Sequence, residues 1–104
     1  KLEDVGVQVT YGIRKYKTHA KALLIVRKEN NQLVNYFHLA TGNYNSKTAS
    51  LYTDFGLISS NKQIGHDVHK FFLQLTGSNK DMKYKHLFLS PLNSYKKIYI
   101  TNNN

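Results

Sequence analysis

A histidine and two lysines stand at alternate positions in the sequence 17–21, which reads Lys-Thr-His-Ala-Lys. If this segment is extended, Lys17, His19 and Lys21 project to the same side. A neutral imidazole is a nitrogen nucleophile, and an ammonium group offsets negative charge in a transition state. The pattern therefore predicts a phosphate-handling pair, although a His-x-Lys tripeptide taken alone is more typical of an ordinary surface strand.

A second polar run, at 41–45, carries hydroxyl and amide side chains around a glycine. Thr41, Asn43 and Asn45 supply neutral hydrogen-bonding groups, and Gly42 permits close approach of the backbone. Asn and Gly are also the commonest turn residues, so this run by itself indicates an ordinary loop. Proximity to His19 is what turns it into a candidate phosphate-binding loop.

The elements between the two runs should bring them together. A continuous apolar stretch at 22–26 predicts a strand over 17–27 that is covered on both faces. A polar turn centred near Asn30 follows, and 33–39 reads as the next strand. This hairpin places Arg27 opposite Leu33 and His19 opposite Thr41, within a couple of residues.

The rest of the pattern predicts an α/β fold, a mixed β-sheet packed by helices. Alternation predicts a strand over 5–11, and further strands are expected over 52–59 and 86–89, with another element within 93–100. A short helical turn is expected over 46–51. A helix over 61–76, capped by Ser60 or Asn61 and ended by Gly77, has an apolar stripe. The stripe consists of Ile64, Val68, Phe71, Phe72 and Leu75.

Composition narrows the possible partners. The 104 residues fit one domain or part of one, and the absence of cysteine excludes disulfides and thiolate zinc sites. The net charge of +9, from 15 basic and 6 acidic residues, favours phosphates, nucleic acid or an acidic membrane surface. No apolar run reaches the roughly 20 residues of a membrane span.

The other histidines carry weaker signals. His38 ends a predicted strand near the polar loop, so it either supports the nucleophile or is structural. His66 and His69 have the i, i+3 spacing of metal ligands, but no third ligand is evident, and we predict no metal site within this chain. Tyr52 either stacks on a nucleotide base or packs in the core.

Six motifs together resemble the large bacterial polyphosphate kinase family, in order and in spacing. They are Tyr11-Gly12, 17–21, 38–45, Lys47-Thr48-Ala49, Leu51-Tyr52-Thr53-Asp54 and Ser90-Pro91-Leu92-Asn93. The resemblance implies a phospholipase-D-like catalytic core of two similar halves, of which residues 1–104 are a single partial domain, most of the first C-terminal half. It also implies reversible transfer of the ATP γ-phosphate to inorganic polyphosphate, through a phosphohistidine and with Mg²⁺.

The resemblance also implies a role for each motif residue. His19 is the phosphorylated nucleophile, Lys21 assists catalysis, and Tyr52 contacts the nucleotide. The phosphate-binding residues are Thr41, Gly42, Asn43 and Asn45, and His38 supports the site. The Mg²⁺ ligands and the family's second catalytic histidine lie outside this chain, so the isolated chain is expected to be inactive.

The implied partners are ATP or ADP, inorganic polyphosphate, the remainder of the kinase and further copies in a homo-oligomer. We expect no specific nucleic acid, no transmembrane segment, and a location in the cytoplasm or at the inner face of the membrane. Two alternatives stay open. One is a dimeric phospholipase-D-type phosphodiesterase or nuclease, although Val26 stands where such enzymes carry an aspartate. The other is a noncatalytic module that binds polyanions.

Overall fold

The structure, a computed structural model, describes residues 1–12, 16–77 and 82–90. A single 3₁₀ turn, Glu3–Val5, precedes the regular elements. These are β1 (Lys21–Glu29), β2 (Gln32–Ala40), α1 (Ser46–Ala49), β3 (Gly56–Ser59) and α2 (Lys62–Leu75). The predicted α/β class is confirmed, and the three described strands are antiparallel in the order β1-β2-β3.

A two-residue turn sets the register of the β1–β2 hairpin. Asn30 and Asn31 both have left-handed backbones, with φ of 47° and 62°, as tight hairpin turns require. Arg27 pairs with Val34, one residue from the predicted partner. Lys21 pairs with Ala40 at the end of the hairpin opposite its turn, so residues 17–20 and 41–45 adjoin the sheet at the same end.

Helix α2 covers one face of the sheet. Gly65 lies over β2, where Asn35 Nδ2 donates to the Gly65 carbonyl at 3.3 Å. A Cβ at Gly65 would lie 3.0 Å from the Asn35 Cβ, so glycine permits this close packing. Beside it, Phe37 and Val68 are 2% and 0% exposed and form the centre of the core. As predicted, Asn61 caps the helix by accepting from two backbone N–H groups.

The opposite face of the sheet is open in the described part of the chain. Leu23, Ile25 and Ile58 lie on it and are 52%, 50% and 83% exposed. The sequence predicted cover on both faces of β1, and the described residues supply it on one. Lys21 and His38 share this open face.

Two predicted strands are wrong, and two are shorter than expected. Val5 belongs to the 3₁₀ turn and residues 6–11 are exposed, irregular chain, because no strand among the described residues pairs with their backbone groups. Residues 86–89 are also irregular, since backbone N–H groups there bind a side chain of α2 instead. The strand expected over 17–27 begins only at Lys21, and that over 52–59 only at Gly56. The element expected within 93–100 lies outside the described residues.

A buried aspartate holds residues 82–90 against α2. Asp67 is 1% exposed, and its Oδ2 accepts from the N–H groups of His86 and Leu87 at 2.6 and 3.0 Å. Burial by itself raises the pKa of Asp67, but the N–H groups of His86, Leu87 and Lys85 and the charge of Lys70 together hold it below its usual value. The buried Tyr84 adds a hydrogen bond to Gln74.

Truncating the core should test this packing directly. We expect Val68→Ala to lower the free energy of unfolding by about 2 kcal/mol, because the lost methyl groups leave a cavity between α2 and the sheet. Val5→Ala is the matched control, since Val5 is 76% exposed and should change stability by less than about 0.5 kcal/mol. Urea unfolding compares the two; equal losses would contradict the described core.

None of the helices within the described ranges has the length and apolar character needed to cross a bilayer.

Candidate functional site

His19 and Lys21 contact each other at the start of β1. Lys21 Nζ lies 2.8 Å from His19 Nε2. An ammonium group only donates hydrogen bonds, so this contact is a hydrogen bond in the tautomer whose Nε2 accepts and whose proton is on Nδ1. Lys21 is the first residue of β1, so the rigid sheet positions the ammonium and, through it, the imidazole.

Thr41 anchors the polar loop to the chain that precedes β3. Its Oγ1 donates to Asp54 Oδ1 at 3.1 Å and accepts from the Phe55 N–H at 2.9 Å. The Thr41 N–H donates to the Phe55 carbonyl at 3.0 Å. The single hydroxyl proton is therefore engaged by Asp54, and this hydroxyl shapes the loop rather than offering a donor to a ligand.

Gly42 and the two asparagines complete the loop. A Cβ at Gly42 would lie 2.5 Å from Asp54 Oδ2, so only glycine fits against that carboxylate. Asn45 caps α1, its Oδ1 accepting from the N–H groups of Lys47 and Thr48 at 3.0 and 3.4 Å. The Nδ2 amide group of Asn45 is left as a donor, and the Asn43 side chain is exposed.

His38 lies on the open face of the sheet, in contact with Tyr44. Its Nδ1 is 2.8 Å from the Tyr44 hydroxyl, and the two rings are 5.6 Å apart. The His38 Nε2 sits over Gly56, where a Cβ would approach it to 2.8 Å. Among the described residues no hydrogen bond joins His38 to His19, so any support from His38 reaches the nucleophile indirectly.

Adding a methyl group at Gly56 should displace the His38 ring. We expect Gly56→Ala to break the contact between His38 Nδ1 and the Tyr44 hydroxyl, because the new Cβ needs the place of Nε2. The ¹⁵N chemical shifts of the His38 ring report the change. In a His38→Ala background Gly56→Ala should have no further effect on stability; equal effects in both backgrounds would show that the clash is elsewhere.

A cavity of about 520 Å³ adjoins His19, and no residue of the polar loop at 41–45 is in its lining. It lies between the segment that leads into β1, the C-terminal half of α2 and the chain near residue 88. Its lining includes Lys17, His19, Phe71, Leu75 and Phe88. Tyr52, which is 67% exposed, is not part of this lining.

The structure therefore brings together some of the predicted site residues and not others. His19 contacts Lys21, and Thr41 and Gly42 meet at Asp54, while Tyr52 is exposed and outside the lining of the cavity beside His19. Asp54 and Tyr44 had no predicted role, although both lie in the motifs that carry the resemblance. Asp54 is a short polar residue that packs against Gly42, but the sequence does not show that the two are neighbours. The pairing of 41–42 with 54–55 depends on tertiary structure.

In residues 1–12, 16–77 and 82–90, His, Asp and Glu side chains form no group of three or more suited to a metal ion. Asp54 is a single carboxylate, engaged by Thr41. These residues do not form a Mg²⁺ site, and the contact between His19 and Lys21 involves no metal ion held by them.

Comparison with known proteins gives a consistent result. The family described as "Polyphosphate kinase C-terminal domain 1" matches residues 1–81. A polyphosphate kinase from Xylella fastidiosa is 56% identical over 91 residues, which are 88% of this chain and 13% of that protein. One from Prosthecochloris aestuarii is 46% identical over 97 residues, 93% and 14% of the two chains. One from Staphylococcus epidermidis is 48% identical over 90 residues, 86% and 12%.

The chain thus spans 12–14% of the length of these relatives. The match covers all the motifs singled out in 17–54, including the contact between His19 and Lys21 and the loop anchored on Asp54. By the extent of this match, the chain belongs to the polyphosphate kinase family, with residues 1–81 corresponding to its C-terminal domain 1.

Proposed function

We propose that this chain supplies the phosphate-carrying wall of a polyphosphate kinase active site. His19 accepts the γ-phosphate of ATP and passes it to the end of an inorganic polyphosphate chain. The observation that carries the proposal is the 2.8 Å contact between Lys21 Nζ and His19 Nε2. It leaves an unprotonated ring nitrogen beside a fixed positive charge, which phosphoryl transfer to histidine requires.

The transfer balances in two steps. In the first, the Nε2 lone pair attacks the γ-phosphorus, the bond from phosphorus to the β,γ-bridging oxygen breaks, and ADP leaves with its electrons. In the second, a terminal oxygen of polyphosphate attacks the phosphorus, and the electrons of the N–P bond return to Nε2. The polymer is one phosphate longer, and His19 is restored.

Lys21 changes partner during this cycle. In the structure its ammonium occupies the Nε2 lone pair, so that lone pair is free only when another acceptor draws the ammonium away. An incoming γ-phosphate oxygen is such an acceptor, and a charged one. We therefore assign to Lys21 a switch from the imidazole to the phosphate, which exposes the nucleophile when substrate is present.

The polar loop and Tyr52 take the remaining roles. The Nδ2 groups of Asn43 and Asn45 donate to phosphate oxygens, while Thr41 and Gly42 hold the loop in shape against Asp54. Tyr52 is exposed and can stack on a nucleotide base. These assignments follow the family resemblance, and the exposure and hydrogen bonding of each side chain support them.

The rest of the site is proposed to lie elsewhere in a longer polypeptide, with a phospholipase-D-like second half facing this one. Mg²⁺ held by that part would offset charge on the triphosphate. The open face with Leu23, Ile25 and Ile58 supports this arrangement, because exposed apolar area of this kind is normally covered. Homo-oligomer formation and a place in the cytoplasm or at the inner membrane face are proposals from the resemblance.

A chimaera tests the proposal. The matched segment of this chain replaces the corresponding 91-residue segment of the Xylella fastidiosa polyphosphate kinase, and the chimaera is incubated with γ-³²P-labelled ATP. We expect label on the protein that is stable in base and lost in acid, as for phosphohistidine, and its transfer to added polyphosphate. The isolated chain should synthesise little or no polyphosphate, because half the positioning groups are missing. A folded chimaera that takes up no label would overturn the proposal.

A further inference from the structure

A second cavity, of about 540 Å³, lies at the other end of α2 and shares no lining residue with the cavity beside His19. It is formed by the N-terminal half of α2, the start of β2 and the chain at 85–86. The proposed function uses none of its side chains. The lining residues with ionisable nitrogen atoms are Lys62, His66, His69, Lys85 and His86.

This cavity offers donors and positive charge to a ligand. Among the described residues that line it, the carboxylate is that of Asp67, which is 1% exposed. Its Oδ2 is already engaged by the N–H groups of His86 and Leu87. Lys62, His66, Lys85 and His86 are all exposed. The first turn of α2 also lies here, so the positive end of the helix dipole adds to this charge.

We propose that this cavity binds inorganic polyphosphate as a second site, distinct from the site at His19; this rests on the proposed function. The donors are too widely spread for a single phosphate. Lys62 and His69 are seven residues apart on one helix, about 10 Å along its axis. A linear chain of phosphates can contact both, with Lys85 and His86 on the other wall.

The nature of the lining argues against two other ligands. The described lining contains no Phe, Tyr or Trp side chain, so the large rings on which nucleobases most often stack are missing from it. The described His, Asp and Glu side chains also form no group of three or more suited to a metal ion. Amines and imidazoles without a nearby free carboxylate match a flexible polyanion.

Helix α2 connects the two cavities. Its first half lines the second cavity, while Phe71, Gln74 and Leu75 line the cavity beside His19. The helix has 14 residues and is therefore about 20 Å long. A growing polymer held at the far end of α2 would stay close to the nucleophile between transfers, which favours repeated addition to the same chain.

The test is a titration of the 104-residue chain with sodium tripolyphosphate, without ATP, followed by NMR of the histidine side chains. We expect His66, His69 and His86 resonances to shift together. The double variant Lys62→Ser/Lys85→Ser should weaken this binding about tenfold or more, from the loss of two charged contacts. The control double variant, Lys1→Ser/Lys28→Ser, removes the same charge from exposed positions outside the cavity and should change it less than about threefold.

Each result of this titration either supports or overturns the second site. Equal weakening by both double variants would show general attraction to a basic protein, and unshifted histidines would show that the cavity is empty; either overturns the second site. Binding that survives His19→Gln supports a separate site. The chimaera's phosphorylation is measured without polyphosphate, so failure of the proposed function and failure of the second site are distinguishable.

Discussion

In the chimaera, His19→Gln is expected to reduce polyphosphate synthesis by about 10⁴-fold or more, because the variant lacks the nitrogen that is proposed to carry the phosphoryl group. Glutamine keeps a polar group near the ring position but has no nitrogen lone pair that can attack phosphorus. Labelling of the protein by γ-³²P ATP should disappear with the activity. The measurement is label bound per mole of protein, with polyphosphate formation followed in parallel.

The companion change Lys21→Gln separates the nucleophile from its partner. Lys21 donates to Nε2 at 2.8 Å, so its loss removes a charge that would stabilise the transferring phosphoryl group. We expect labelling to continue at a rate lower by about 10²–10³-fold, the usual cost of one electrostatic contact in a transition state. Equal and complete losses in the two variants would contradict the division of roles.

Lys28→Gln is the control for both variants. Lys28 is an exposed cation near the far end of β1, and its substitution removes the same charge as Lys21→Gln. Labelling should stay within about twofold of the unmodified chimaera, as expected for an exposed charge. A histidine other than His19 that retained the label in His19→Gln would overturn the assignment of the nucleophile.

The hairpin and α2 could be predicted because local patterns specify them. The apolar stretch at 22–26 and the polar turn around Asn30 gave the strands and a register within one residue of that observed. The apolar stripe of α2 and its cap at Asn61 gave the helix to within a residue at each end. In both cases the signal lies within a few residues of sequence.

Long-range pairing explains what the sequence did not predict. The alternating residues 5–11 look like a strand, but a strand needs a partner along its edge, and the described chain provides none there. Residues 86–89 have strand-like composition, yet the N–H groups of His86 and Leu87 bind Asp67 of α2. The contacts of Asp54 with Thr41 and of Tyr44 with His38 also depend on where the chain returns.

The largest effect on stability is expected at Asp67. Asp67→Ala should lower the free energy of unfolding by about 3 kcal/mol at pH 7, because it leaves the buried N–H groups of His86 and Leu87 without their charged acceptor. Asp67→Asn keeps an oxygen acceptor but loses the charge, so its loss should be smaller. Asp4→Asn is the control, since the Asp4 side chain is 79% exposed and pairs only with the N-terminal amine.

Acidification should weaken the wild-type chain through the same carboxylate. The pKa of Asp67 in the folded chain is lowered: burial opposes this, but the N–H groups of His86, Leu87 and Lys85 and the charge of Lys70 outweigh it. The folded chain thus binds a proton at Asp67 less tightly than the unfolded chain, whose aspartates titrate at about pH 4. The stabilisation from Asp67 is full above that pH and is lost as the pH falls through the folded pKa.

Urea unfolding at pH 7 and about pH 3 measures this loss of stability. The loss should be smaller for Asp67→Asn than for wild type and Asp4→Asn, because the variant has no proton to gain at this position. Equal losses in all three would mean that another carboxylate carries the acid sensitivity.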